Sequence, residues 1–266
     1  MKVNYYGHSC FSVAAGGKTL LFDPFITQNP LAKAVDAKKV AADFILVSHG
    51  HEDHMADAVD VAKRTGATVI ANYEVALWLN AKGAPKIHPM NHGGGFNFDF
   101  GRVKFVNAVH SSTMPDGSNG GNAGGFVVET TDGNFYFSGD TALTLDMKFI
   151  GESTKLKFAA LCIGDNFTMG VDDAVKAADF IRCSEILGVH YDTFSPIEID
   201  HNAAIGKFKA AVTRDVNRSN GATTISFWQR NYHEHIVRNE DDLNRIRQYI
   251  AENPARWADD DLYAAG

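Results

Sequence analysis

The segment VSHGHEDH, residues 47–54, constrains this chain more than any other stretch. It places His49, His51, Asp53 and His54 within six residues, directly after the apolar run FILV at 44–47. A short run that is apolar throughout reads as a buried strand, so the four polar side chains converge at its carboxyl end if the chain turns there. Packing offers no reason to crowd imidazoles, because protonated rings repel and buried neutral rings lose hydrogen bonds. A metal ion removes both costs by taking neutral rings as ligands. The four residues are therefore candidate metal ligands.

Short strand-like runs recur along the chain at 19–22, 44–47, 68–71, 103–106, 126–129, 135–137, 158–163 and 186–189. Helical patterns fall at 55–64, 73–81, 172–183 and 202–211, two of them followed by the stop residues Gly66 and Gly83. The arrangement reads as mixed α/β, two sheets face to face with helices outside. The glycine-rich stretch 117–125 lacks GxGxxG before a helix, so it is no dinucleotide loop. It reads as a mobile turn, or as a loop where backbone approaches a ligand.

Three further residues follow apolar strands in the same manner: His110 in AVHSS, Asp140 in FSGDT and His190 in GVHYDTF. With HxHxDH, their order resembles the metallo-β-lactamase superfamily. The resemblance implies an αββα sandwich with a metal site at one edge. It assigns His49, His51 and His110 to one metal and Asp53, His54 and His190 to a second, with Asp140 as bridge. Imidazole and carboxylate donors without thiolate suit zinc first, with manganese, iron or nickel as alternatives.

NYYGHSCF, LFDPF, IGDNFTMG and HYDTFSP narrow the resemblance to metal-dependent hydrolases related to L-ascorbate 6-phosphate lactonase, over about residues 1–211. In that branch the positions of His8 and Asp165 lie close to the metals, facing substrate or supporting the ligands. After Ala211 the expected glycine-containing strand pair is missing. Residues 227–257 instead resemble the carboxyl-terminal piece of transposases associated with repetitive extragenic palindromes, without that family's paired-histidine motif. Tyr232 would match the catalytic tyrosine but lacks its partner site. The domains are then 1–225, the hydrolase-like sandwich, and 226–266, a helical extension. In the extension Asn239 can cap a helix carrying Leu243, Ile246 and Ile250 on one face. Its apolar and aromatic content suits a cover for sandwich surface or a homo-oligomer contact. His233 and His235 are spaced like ligands, but seven better candidates are already present.

Composition excludes several function classes. The chain has 266 residues, 45% hydrophobic and 21% charged, which is ordinary globular usage. No apolar run reaches the roughly 18–20 residues of a membrane span, and the amino-terminal stretch lacks a secretory h-region, so a cytoplasmic protein is expected. Cys10, Cys162 and Cys183 have no CxxC spacing and read as buried thiols. The net charge of −7 disfavours nucleic acid as a partner. The expected enzyme is a dinuclear metal-dependent hydrolase of small esters, lactones or phosphoesters, with a metal-bridging hydroxide as nucleophile. Asp53 would orient that nucleophile, and bound water or His8 would protonate the leaving group. The alternatives are a nuclease, a non-catalytic scaffold if the extension has deformed the site, and di-iron redox chemistry.

Overall fold

A computed structural model describes the backbone of residues 1–219 and the side chains of residues 1–211. They belong to the first of two compact units, residues 1–220. The extension read at 226–266, with Tyr232, His233 and His235, lies outside the described residues.

One six-stranded sheet contains β1 (Lys2–Gly7), β2 (Cys10–Ala15), β3 (Lys18–Phe22), β4 (Phe44–Leu46), β5 (Thr68–Asn72) and β6 (Lys86–Met90), in that spatial order. The other contains β7 (Gly95–Phe98), β8 (Gly101–Asn107), β9 (Gly124–Thr130), β10 (Gly133–Phe137), β11 (Leu156–Cys162) and β12 (Ile186–Val189), again in chain order across the sheet. The helices are α1 (Glu52–Met55), α2 (Ala58–Thr65), α3 (Tyr73–Ala81), α4 (Asp146–Ser153), α5 (Val171–Phe180) and α6 (His201–Ser219).

Period-two alternation builds the layers. On β3, Leu20 and Phe22 enter the core between the sheets while Leu21 faces the layer of α2 and α3. On β10, Phe135 and Phe137 point inward while Tyr136 packs with Met147 of α4 and Ala177 of α5. The inner strands β3, β4, β5, β10 and β11 are apolar on both faces because the sheet is covered on both sides there, which is why they read as continuous apolar runs. The result is the αββα sandwich. Its centre is aromatic: Phe11 stacks on Phe22 at 4.6 Å and meets Phe137 edge-on at 5.2 Å. Phe126→Ala, at a fully buried position beside Phe22 and Phe105, is expected to lower unfolding free energy by about 3–5 kcal/mol. Denaturant melts at unchanged m-value would measure it, and a loss below about 1 kcal/mol would contradict this packing.

The helix read over 55–64 is divided. α1 ends at Met55 and α2 begins at Ala58, because Asp57 is committed elsewhere. Its carboxylate accepts from the backbone N–H groups of Ile26 and Thr27 at 2.6 and 3.0 Å and from the Thr27 hydroxyl. Sequence reading also missed β1, β2, β6, β7 and α4 and ended α6 eight residues early. No described helix is long and apolar enough to cross a membrane. All three cysteines are free and buried, as expected.

Strand direction places the site. β3 and β4 run parallel, as do β10, β11 and β12. β1 reaches the direction of β3 through two antiparallel steps, and β8 that of β10 likewise. The residues that follow β1, β3, β4, β8, β10 and β12 therefore emerge at carboxyl ends of strands. A bond from Gly124 N–H to the Ser48 carbonyl at 3.1 Å joins the two sheets there, and His190 N–H bonds the His8 carbonyl at 2.9 Å.

Candidate metal centre

The strand ends bring all seven sequence candidates together, with His8 beside them. His49, His51 and His110 offer nitrogens within 4.8 Å of one another. His8, Asp53, His54 and His190 form a second such group. Ring centroids are 4.5 Å apart for His49 and His51, 5.0 Å for His51 and His110, and 5.5 Å for His54 and His190. Asp140 lies between the groups: its Oδ2 is 2.8 Å from His190 Nε2, 3.3 Å from His54 Nε2 and 3.6 Å from His110 Nε2.

Backbone strain accompanies this convergence. His8, Asp23, Asp165, Asn166, His190 and Asp192 all have positive φ without being glycine. Sharp left-handed turns at strand ends aim these side chains along the sheet edge, a conformation costing about 1–3 kcal/mol each that persists only when the surroundings hold it. Gly139, at φ +58, precedes Asp140 where a Cβ would stand 2.5 Å from the Gly124 carbonyl and 2.9 Å from Ser48 Cβ. Only glycine lets the Asp140 turn pass so close to the opposite sheet.

Supporting residues fix the rings. Asp23, fully buried at the end of β3, accepts from Ser48 N–H at 2.8 Å, the Ser48 hydroxyl at 2.6 Å and His54 Nδ1–H at 2.7 Å. This turns His54 Nε2 toward Asp140. Since the Ser48 proton goes to Asp23, its Oγ is left to accept from His49 Nδ1–H at 2.9 Å, freeing His49 Nε2. Ser111 Oγ holds His51 Nε2 at 3.2 Å. Thr193 Oγ1 lies 2.8 Å from His8 Nδ1, and His8 Nε2 lies 3.1 Å from Asp53 Oδ2. Sequence reading missed Asp23, Ser48, Ser111 and Thr193 as site residues. The available signal was Asp23 standing directly after the apolar strand TLLF, as Asp140 stands shortly after NFYF.

The electrostatics are those of a cation site. Burial opposes the charged form of His54, yet the carboxylates of Asp140, Asp53 and Asp23 outweigh it and hold its pKa well above the ordinary imidazole value. Burial likewise opposes charge on Asp140, but His54 and His190 keep its carboxyl well below the usual range. Burial lowers His8 to about 4 against the pull of Asp53, and burial with the nearby His54 lowers His49 well below normal. His49 Nε2 and His51 Nδ1 face each other at 2.9 Å, so without a cation one ring must donate its N–H to the other. His54 Nε2, Asp140 Oδ1 and His190 Nδ1 are buried without a hydrogen-bond partner. Unpaired buried polar atoms are costly, and His54 Nε2 and Asp140 Oδ1 belong to side chains of the nitrogen and oxygen donor set a divalent cation takes. The residues present therefore fit a metal.

Asp165 stays outside both ligand groups. It lies exposed on the turn between Gly164 and Gly170, its Oδ1 accepting from Asn166 N–H at 2.9 Å. The glycine-rich stretch is fastened to the protein: buried Asn72 donates to the carbonyls of Gly120 at 2.7 Å and Asn122 at 2.9 Å. Ser112 Oγ donates to the Gly120 carbonyl at 3.0 Å and accepts from Gly50 N–H at 3.0 Å, which ties the stretch to the HGH segment.

Asp23→Asn keeps the shape but removes the charge that orients His54. A 10- to 100-fold loss of metal affinity is expected, roughly the usual effect of losing such a partner. Competition with a chromophoric chelator would measure it, and an unchanged affinity would deny Asp23 this role.

Residues 18–191 match the family described as Beta-lactamase superfamily domain. A Methylacidiphilum infernorum protein named UPF0173 metal-dependent hydrolase is 52% identical over 209 residues, 79% of this chain and 92% of its own length. A protein of the same name from Flavobacterium johnsoniae is 53% identical over 208 residues, 78% of this chain and 92% of its own. Among solved structures, Igni18, a metallo hydrolase from the archaeon Ignicoccus hospitalis, is 33% identical with a TM-score of 0.69, covering 85% of this chain and 94% of its own. An isothiocyanate hydrolase from Delia radicum gut bacteria, 17% identical with a TM-score of 0.63 over 86% of this chain and 100% of its own, is alike in fold.

Proposed function

Because this chain belongs to the metallo-β-lactamase superfamily, together with the UPF0173 metal-dependent hydrolases, we propose that it is a dinuclear metal-dependent hydrolase of small esters, lactones or phosphoesters. The observation that carries this reading is Asp140 Oδ2, within 3.6 Å of imidazoles from both ligand groups. His49, His51 and His110 would hold one ion, Asp53, His54 and His190 the second, and Asp140 both. Zinc is the first candidate, with manganese, iron and nickel behind it.

When bound, such ions supply Lewis acidity, polarising a scissile oxygen and lowering the pKa of water toward neutrality. The chain's own groups do the rest. Asp53, with its side chain 28% exposed, is open to solvent and would orient the attacking water. His8, fully buried and neutral at pH 7, donates Nε2–H to Asp53 while Thr193 fixes its other nitrogen. That N–H holds the Asp53 carboxylate in place; solvent would supply the leaving-group proton, and His8 would do so only after taking up a proton itself to become imidazolium. The resemblance to L-ascorbate 6-phosphate lactonase favours lactones within the class, and the transposase-like tail is assigned no strand-transfer chemistry.

Elemental analysis of the purified protein, coupled to a panel of lactones, aryl phosphodiesters and phosphomonoesters, tests this. About two transition-metal ions per chain and turnover of at least one class are expected. A correctly folded, metal-free, inert protein would overturn the reading and support the scaffold.

A further inference from the structure

Building on the hydrolase reading above, we infer that the substrate is an uncharged ester or lactone bearing an apolar aryl or alkyl group, and that Phe167 and Phe194 are the residues that select it.

Charge supplies the first argument. The strand-end segments that carry the candidate ligands and their supporting residues, 7–12, 22–29, 48–54, 109–125, 138–145, 163–170 and 188–200, contain no Lys or Arg, the nearest in the chain after 29 being exposed Lys33. They do contain buried Asp23 and, farther out, Glu52, Asp116, Asp165, Asp192, Glu198 and Asp200 outside the ligand set. A phosphate or carboxylate on a substrate is ordinarily recognised by Arg, Lys or a free helix N-terminus. The helix starts nearby are acidic: Glu52 and Asp53 occupy the first turn of α1, Asp172 and Asp173 that of α5. Apart from the ions themselves, nothing in these segments rewards an anionic substituent, and the surrounding acids repel it.

Exposed apolar side chains on the same segments supply the second. Val109 is 54% exposed, Phe167 56% and Phe194 39%. Val109 directly precedes His110, held by Thr141 Oγ1 at 2.9 Å. The Phe194 ring lies 5.6 Å from the His8 ring, edge to face. Phe167 follows a tight turn in which Asp165 and Asn166 have φ of 61° and 50°. That turn is anchored at both ends to the ligand strands. Met169 N–H bonds the Thr141 carbonyl at 2.9 Å, next to Asp140. Gly164 lies so near the His190 carbonyl that a Cβ would stand 2.0 Å from it. Apolar groups held toward water by backbone bonded to the ligand strands are a preorganised wall, whereas a scattered surface aromatic has no such support.

The experiment compares γ-butyrolactone, a γ-phenyl-substituted analogue and a phosphate-bearing analogue on the metal-loaded full-length protein. Isothermal titration of acetohydroxamic acid and a phenylbutanoyl hydroxamic acid gives a second readout. Wild type should prefer the phenyl lactone and the phenyl hydroxamate. Phe167→Ala and Phe194→Ala should each shrink both preferences about tenfold, the discrimination an apolar pocket provides, chiefly through KM and with metal content unchanged. Phe149→Ala, on exposed α4 residue Phe149, should leave the preferences as they are. Turnover of the phosphate-bearing lactone as fast as the phenyl one, or preferences unaltered in both variants, would overturn the inference. If no ester, lactone or phosphoester is turned over, the hydrolase reading falls. The hydroxamates then still decide: equal affinity of wild type for both removes Phe167 and Phe194 as selectors.

Discussion

Asp140→Ala is expected to lower hydrolysis by about a thousandfold, the several kcal/mol that a metal pair contributes to the transition state. Asp140 is 2% exposed and its Oδ2 meets His54, His110 and His190. Removing it takes the shared anion from both ligand groups, so metal content should fall together with rate. The fold should survive, because the aromatic core between the sheets is untouched. Asp140→Asn separates charge from shape: it keeps the volume and should fall nearly as far as alanine. Steady-state rates, elemental analysis and circular dichroism on both variants check this. Wild-type rates with full metal content in Asp140→Ala would remove Asp140 from the centre.

Chelation should destabilise the sandwich strongly. Ligands at the ends of β4, β8, β10 and β12 come from both sheets, so ions held there brace the sheet edges together in the folded state only. At free metal about a thousandfold above Kd, linkage gives about 4 kcal/mol of stabilisation. For a domain of this size that is a fall in Tm of roughly 10 °C when a strong chelator is added. Without metal the cluster must also keep His54 protonated between carboxylates and leave buried atoms unpaired. Calorimetry with and without chelator, followed by re-addition of zinc or manganese, measures the effect. An identical Tm in both conditions would show that no ion is bound in the folded state.

Much of the candidate centre was legible in the sequence because its candidate ligands sit in a fixed relation to apolar strands. His49, His51, Asp53 and His54 follow FILV, while His110, Asp140 and His190 follow other strand runs, and burial on both faces makes such runs visible as short apolar stretches. The supporting shell was less legible. Ser48, Ser111 and Thr193 are ordinary polar residues whose roles depend on hydrogen bonds to a ring, as when Ser48 links Asp23 to His49. Asp57 looked like a helical residue, and only its bonds to Ile26 and Thr27 explain the break between α1 and α2. Edge strands β1 and β7 escaped notice because most of their residues are exposed, which erases the hydrophobic alternation that marks a strand.

The sequence by itself determined which side chains could bind metal and that strands would carry them, since both follow from local chemistry and short-range apolar pattern. Only the tertiary structure decided that Asp140 meets both groups of imidazoles, that Asp23 orients His54, and that Phe194 stands edge-on to His8. Those relations join residues up to 186 positions apart, as His8 and Phe194 are. They arise from how two sheets align their carboxyl edges, a property of strand direction and packing that no local pattern records.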